Sequence, residues 1–438
     1  MGTMSGITAG ILLTGSAFTD AFADRVAGPF AARPAAAQQI SPQVRQYFLS
    51  DPLTTEPRDP FLPVLKVDRP LSPLELSAVA EKVDALDNSA QQQLAAGEVD
   101  NAFLLWRRVL RLRRVLGPVP EFRAIIKVAQ LAWDAQRPVE VQLLTLRTRE
   151  IWETLQAELG VTPAEEPFAE ALDADGSEPA SVLLSGQTSS DITILNALAQ
   201  TFTTLRDVDS AVEVYETLIA ISEQQGVDPT GQRRSLAELH LQWFQFADAA
   251  NIYLALLKTA QSSGNQAAEI AYLSRLIYSY QQAKSLTNAV VAQTNLLSIY
   301  QARGEEDRLP ELLLAIAQNY RTLNQSDNAV TYYRAAYSAA QRLDQFSVSA
   351  RVLKGLGALY QSLDLNNQAL GAYSLLIPVE QQAYNTYGVM QAYDSIGQIQ
   401  RSLGNSLEAL KAFEQALALA NQLGLPEDYF VTQIKSVP

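Results

Sequence analysis

Among the side chains that ordinarily carry out reactions, this sequence offers one histidine, His240, and no cysteine. The missing cysteines exclude disulfides, thiolate zinc sites, iron–sulfur clusters and cysteine nucleophiles together. A lone imidazole can act as a general base only when other groups orient it. His240 closes the segment Leu236-Ala237-Glu238-Leu239-His240, where its spacing from apolar neighbours suits a ring filling a packing slot. The motifs that cradle phosphates or dinucleotides are absent, as are the serine elbow and the zinc-binding His-Glu-x-x-His pattern. No catalytic residue, cofactor or metal site is therefore expected. Carboxylates are plentiful, with 47 Asp and Glu, and a glycosidase needs two of them across an aromatic-lined cleft. A helical-toroid glycosidase or a lytic transglycosylase-like envelope enzyme is the competing catalytic reading. The second is disfavoured because the repeats described below run almost to Pro438.

The strongest charge feature is Trp106-Arg107-Arg108-Val109-Leu110-Arg111-Leu112-Arg113-Arg114. On a helix Arg107, Arg111 and Arg114 share one face. Arg107, Arg108, Arg111 and Arg114 are a candidate patch for an acidic partner, an anionic lipid surface or RNA. The plainer reading is a solvated face, or one neutralised by the acidic stretch at 161–190. The net charge of −14 and pI near 4.7 make nucleic acid a poor partner, since phosphates are repelled by such a surface. No transmembrane span is expected in the mature chain, while peripheral membrane association stays open.

The elements that position these residues follow a repeat. Small alanines stand at Ala211, Ala249, Ala289, Ala329, Ala369 and Ala409, at separations of 38 and then 40 residues. Four residues later come Tyr215, Tyr253, Gln293, Tyr333, Tyr373 and Phe413. Twelve residues before each alanine stands Ala199, Ala237, Ile277, Ala317, Gly357 or Gly397, and nine before stands Phe202, His240, Tyr280, Tyr320, Tyr360 or Gln400. Helical spacing inside a fixed period is the signature of stacked helical hairpins. Gly or Ala lets two helices approach closely, and an aromatic fills the space beside that contact. Ser326, Asn366 and Ser406 are expected to cap the second helix of their hairpins. The slot filled by Tyr280, Tyr320 and Tyr360 is the one His240 occupies, so His240 is read as core.

With Leu356-Gly357-Ala358-Leu359-Tyr360 followed by Ala369 and Tyr373, the register resembles the tetratricopeptide repeat. The period of about 40 instead of the usual 34 implies longer helices, similar to kinesin light chain-like repeats. The resemblance implies an all-α, right-handed superhelical solenoid of antiparallel helix hairpins. It also implies that the first helix of each hairpin lines a concave, protein-binding face. Carried over position by position, that face holds Asn196, Gln200, Arg234, Glu238, Ser274, Tyr278, Gln281, Gln318, Arg321, Lys354, Gln361, Asp394, Gln398 and Arg401. The Lys-Asn clamp of chaperone-binding members is not matched, because Ala358 stands at the partner slot of Lys354. The plainer reading of this polar face is cover for solubility.

The expected organisation is a leader at 1–37, a proline-rich extended arm at 38–72, two degenerate hairpins at 73–160, an acidic irregular loop at 161–190, six regular repeats at 191–424 and a tail at 425–438. The degenerate frames are Ala90, Ala102 and Trp106, then Val128, Glu140 and Leu144. Ser72-Pro73-Leu74-Glu75 reads as a helix start with a capping box. Ile7 to Phe18 is an apolar stretch too short to span a bilayer, followed by Ala-x-Ala patterns, which points to an export signal. No Lys or Arg precedes it, so either Met1 is not the true start or the segment is an alanine-rich leader. The expected function is a non-enzymatic scaffold or assembly factor binding a protein partner. Export to a periplasm or equivalent lumen is expected; with the leader uncleaved, a cytoplasmic signalling adaptor is the alternative.

Overall fold

A computed structural model describes residues 40–64, 69–160 and 189–437. The leader at 1–37 and nearly all of the acidic stretch at 161–190 lie outside the described residues. Among those described, the chain is an all-α helical-repeat solenoid with eighteen α-helices. Two compact units divide it, Met1–Ile221 and Ser222–Pro438, so the boundary falls inside the regular repeats.

The first unit opens with α1 (Pro42–Leu49), followed by α2 (Pro73–Ala95), α3 (Val99–Arg113), α4 (Pro118–Asp134), α5 (Pro138–Leu159), α6 (Ser189–Leu205) and most of α7 (Val208–Gln224). The start of α2 is the expected capping box: Ser72 accepts from the Glu75 backbone N–H while the Glu75 carboxylate accepts from that of Ser72. Ala90, Ala102, Trp106, Val128, Glu140 and Leu144 are all buried. The proline-rich arm is not a free extended segment. Phe48 and Leu62 are buried, since a large ring and a leucine gain more from apolar cover than the arm loses in chain freedom.

The second unit stacks the hairpins α8 (Thr230–Gln242) with α9 (Phe246–Ser262), α10 (Gln266–Gln282) with α11 (Leu286–Arg303), α12 (Leu309–Thr322) with α13 (Ser326–Arg342), α14 (Phe346–Ser362) with α15 (Asn366–Gln382), and α16 (Thr386–Ser402) with α17 (Ser406–Gln422). The short helix α18 (Asp428–Lys435) follows. One continuous apolar core runs from Ala237 to Ile399.

The repeat register is realised as close packing. Ala211, Ala249, Ala289, Ala329, Ala369 and Ala409 are each 0% exposed. A Cβ on Gly357 would sit 2.8 Å from Cζ of Tyr373, and one on Gly397 would sit 2.7 Å from Cδ1 of Phe413. Glycine is needed there because the ring of the second helix lies directly on the backbone of the first. His240 is buried, with Nδ1 2.7 Å from Oε1 of Gln245. Gln293, which replaces the aromatic, is also fully buried and accepts a 2.9 Å bond from Asn319 Nδ2.

The capping expectation needs correction. Ser326, Asn366 and Ser406 are the first residues of their helices, and the N-cap positions are Gln325, Leu365 and Asn405, none of which makes a side-chain cap bond. The chain instead turns tightly in front of each second helix. Asn324 takes a φ of 57°, its N–H bonds the Arg321 carbonyl at 3.0 Å, and the Gln325 N–H bonds that of Tyr320 at 2.9 Å. These bonds satisfy the carbonyls left open at the end of the first helix.

Candidate functional site

The first helices of the second unit carry the candidate face. Their side chains bridge from one first helix to the next. Arg275 on α10 lies 3.1 Å from Oε1 of Glu238 on α8. Arg351 on α14 lies 2.6 Å from Oε1 of Glu311 on α12, and Lys354 on α14 donates to Gln391 on α16 at 2.8 Å. From beneath, hydroxyls of second-helix tyrosines reach the same face. Tyr253 donates to Glu238 at 2.7 Å, and Tyr373 to Gln361 at 3.3 Å. Burial, with the Glu238 carboxylate beside it, pushes the Tyr253 hydroxyl well above its ordinary range, so it stays a proton donor at neutral pH.

Arg234, Tyr278, Gln318 and Arg321 are exposed, and among the described residues none of these side chains has an ion pair or hydrogen bond. The Tyr278 ring is held edge-on against Phe246, with centroids 6.2 Å apart. Ser274 bonds its own helix, while Gln281 is half-buried. In the first unit, Asn196 also bonds its own helix, at Ile192, and Gln200 is exposed. Arg275, Glu311, Arg351 and Gln391 were missed by the sequence reading. The signal was available: Arg275 directly follows Ser274, and Arg351 stands one helical turn before Lys354.

Asp394, Gln398 and Arg401 require a correction. They face α18 of the same chain. The Tyr429 hydroxyl lies 3.2 Å from both Asp394 oxygens and accepts from Gln398 at 3.2 Å. Arg401 donates to Gln433 at 2.6 Å and Ser436 at 2.7 Å. Phe430 drives this contact, burying itself with Met390, Phe413, Ala416 and Ala420. The expected tail thus holds a helix that closes the last repeat and supplies polar cover to its open end.

The arginine patch also needs correction. Arg107 forks onto Glu140, with bonds of 2.9 and 2.5 Å. Arg108 forks onto Asp59 of the arm at 2.7 and 2.9 Å and lies over the Phe61 ring. Burial pushes the Asp59 carboxyl up, but bonds from Arg108 and the Phe61 N–H outweigh it and hold the group below its ordinary range. Arg111 is 5% exposed, stacks on Tyr47 at 3.9 Å and donates to Ser50. Arg114 donates to the carbonyls of Phe48, Leu49 and Ser50 at the end of α1 and lies 3.2 Å from Glu121. Burial and the neighbouring Arg147 push its guanidinium down to about 10. These arginines are internal clasps rather than a surface for a partner, because the arm, α4 and α5 bring carboxylates and carbonyls onto the strip.

Among the described residues no group of His, Asp and Glu could hold a metal ion, and no helix is long and apolar enough to cross a membrane. A family model described as tetratricopeptide repeat matches residues 310–342 and 391–423, and a second such model matches 194–228. The chain carries tetratricopeptide repeats. The matched stretches fall on α6–α7, α12–α13 and α16–α17, three of the hairpins built on the alanine register. No curated protein sequence matches the chain. Among solved structures, BtubC from P. vanneervenii is 20% identical, over 52% of this chain and 92% of that one, with a TM-score of 0.36. MamA is 19% identical over 44% and 92%, with a TM-score of 0.33. A signal-transduction ATPase with a tetratricopeptide repeat sensor, from Pyrococcus horikoshii, is 12% identical over 76% and 51%, with a TM-score of 0.35. These repeats support, in general terms, a protein-interaction scaffold.

Proposed function

We propose that this chain is a non-enzymatic assembly factor whose second unit holds a segment of a partner protein along the face of α8, α10, α12 and α14. One observation carries the reading. In the middle of this face Tyr278, Gln318 and Arg321 are exposed and make no side-chain hydrogen bond or ion pair, whereas at its end Asp394, Gln398 and Arg401 are occupied by α18. The chain covers these polar groups of the last repeat, and in the middle repeats it leaves Tyr278, Gln318 and Arg321 without a hydrogen bond or ion pair. Tyr278 offers ring area on a fixed support, Gln318 suits a partner backbone, and Arg321 and Lys354 suit carboxylates. Tyrosine and arginine carry a large share of binding energy at interfaces.

The test is a joint change of Tyr278, Gln318, Arg321 and Lys354 to alanine. None of the four is buried, so the melting temperature should hold. Recovery of partners from native cells should fall by about tenfold or more, the cost of one lost anchor of about 1.4 kcal/mol. Full recovery by a folded variant would refute the assignment. Export is part of the proposal, on the apolar stretch from Ile7 to Phe18 and the Ala-x-Ala patterns after it. Mature protein should begin near Asp24 or Gln38, and intact chain starting at Met1 or Gly2 in the cytosol would refute export.

A further inference from the structure

The first helices α8, α10, α12 and α14 carry three carboxylates, and the chain itself uses all of them. Glu238 accepts from Tyr253 and pairs with Arg275, Glu269 accepts from Gln261 at 2.9 Å, and Glu311 pairs with Arg351. Six cations stand on the same helices. Arg233, Arg275 and Arg351 have ion pairs, and Lys354 bonds the neutral Gln391. Arg234 and Arg321 have neither ion pair nor hydrogen bond among the described residues. The charge left over on these helices is therefore positive, in a chain of net charge −14.

A run of rings accompanies it. Phe244 meets Phe246 edge-on with centroids 6.0 Å apart, and Phe246 meets Tyr278 in the same way at 6.2 Å. Tyr278 stands on α10, between the helices that carry Arg234 and Arg321. Phe244 is 70% exposed and Tyr278 45% exposed. Phe244 also departs from the pattern of its turn. It takes a φ of 61°, a conformation that costs a bulky residue. The corresponding turns of the later repeats have Lys284, Asn324, Asp364 and Gly404 at positive φ. Folding gains little from an open ring in that conformation, which points to binding.

We infer that the partner segment held by this face is acidic and carries an aromatic residue, which lies on the run of Phe244, Phe246 and Tyr278 while the carboxylates meet Arg234 and Arg321. This rests on the function proposed above and adds the chemistry of the occupant. A carboxylate is the strongest complement of an unpaired guanidinium, and exposed rings favour a further ring against them.

The experiment selects peptides from a random library displayed on phage, against the full chain and against the variant with Tyr278, Gln318, Arg321 and Lys354 changed to alanine. Peptides that bind the chain but not the variant should be rich in Asp and Glu and contain Phe, Tyr or Trp. For the strongest of these, Phe244→Asn should weaken binding by about tenfold or more, the loss of one anchor. Its melting temperature should not fall, because asparagine suits this turn as it does at Asn324; a fall would make the ring part of the fold and overturn its role. Arg234→Glu with Arg321→Glu should also weaken binding by about tenfold or more, through like-charge repulsion. Face-dependent peptides without acidic enrichment, or an affinity unmoved by Phe244→Asn, would overturn the inference while leaving the face as the binding site. Peptides that bind chain and variant equally, or a selection that yields none, would refute the face and this inference together.

Discussion

The hydroxyl of Tyr429 lies 3.2 Å from both carboxylate oxygens of Asp394, so the final helix takes a site that the repeat register assigns to a partner. Phe430, its neighbour, supplies the driving force by entering the apolar cluster of Met390 and Phe413. The polar contacts then follow from where that anchor places α18.

This arrangement gives Asp394 a pH signature. Burial raises its carboxyl above the ordinary aspartate range, against the opposing bonds from Gln398 and Tyr429. The folded chain therefore binds that proton more readily than the unfolded chain, and stability should fall as pH rises through the raised range. Asp394→Asn should flatten this part of the profile in urea unfolding measured across pH. Parallel curves for the two proteins would contradict the assignment.

Phe430→Ala should destabilise the second unit by about 3 kcal/mol, as expected for emptying a buried aromatic slot. Tyr429→Phe, which removes only a hydroxyl at an exposed edge, should cost about 1 kcal/mol or less. Denaturant midpoints distinguish the two, and similar losses would mean that polar contacts, not burial, hold α18 in place.

Two helix-interior glycines should respond in opposite directions to the same change. At Gly357 an added methyl meets the Tyr373 ring at 2.8 Å, whereas at Gly371 nothing lies within 4 Å. Gly357→Ala should cost about 1–3 kcal/mol through overpacking. Gly371→Ala should instead gain up to about 1 kcal/mol from helix propensity. Equal melting temperatures would show that the hairpin register is misplaced.

Arg107→Ala should cost about 3 kcal/mol, because it leaves the buried Glu140 carboxylate without its partner. The paired change Arg107→Met with Glu140→Leu should recover most of that loss. Reversing Arg107, Arg111 and Arg114 to glutamate together should unfold the first unit, read as lost helix content by circular dichroism. Retention of full helix content by the triple variant would restore the reading of a solvated strip.

The sequence by itself determined the repeated part of this protein. The alanines at 249, 289, 329, 369 and 409, the aromatics four residues on, and Gly357 and Gly397 all answer one local demand, two helices touching. Because each hairpin meets that demand again, it appears as a period. Even the polar entries in aromatic slots, His240 and Gln293, were placed correctly by their position in it. The turns were less legible. Arg206, Phe244, Lys284 and Asn324 all take a positive φ without the glycine that usually marks one, since the backbone bonds of the turn outweigh the cost of a side chain there. Tertiary structure alone decided which charges are free. Arg107 finds Glu140 across 33 residues, Arg108 finds Asp59 across 49, and Arg401 finds Gln433 across 32. Each pairing occurs once, between segments brought together by burial of apolar neighbours such as Phe48, Leu62 and Phe430. A contact made once leaves no period to read, so the free side chains of the candidate face could be told from the spent ones only after the chain had folded.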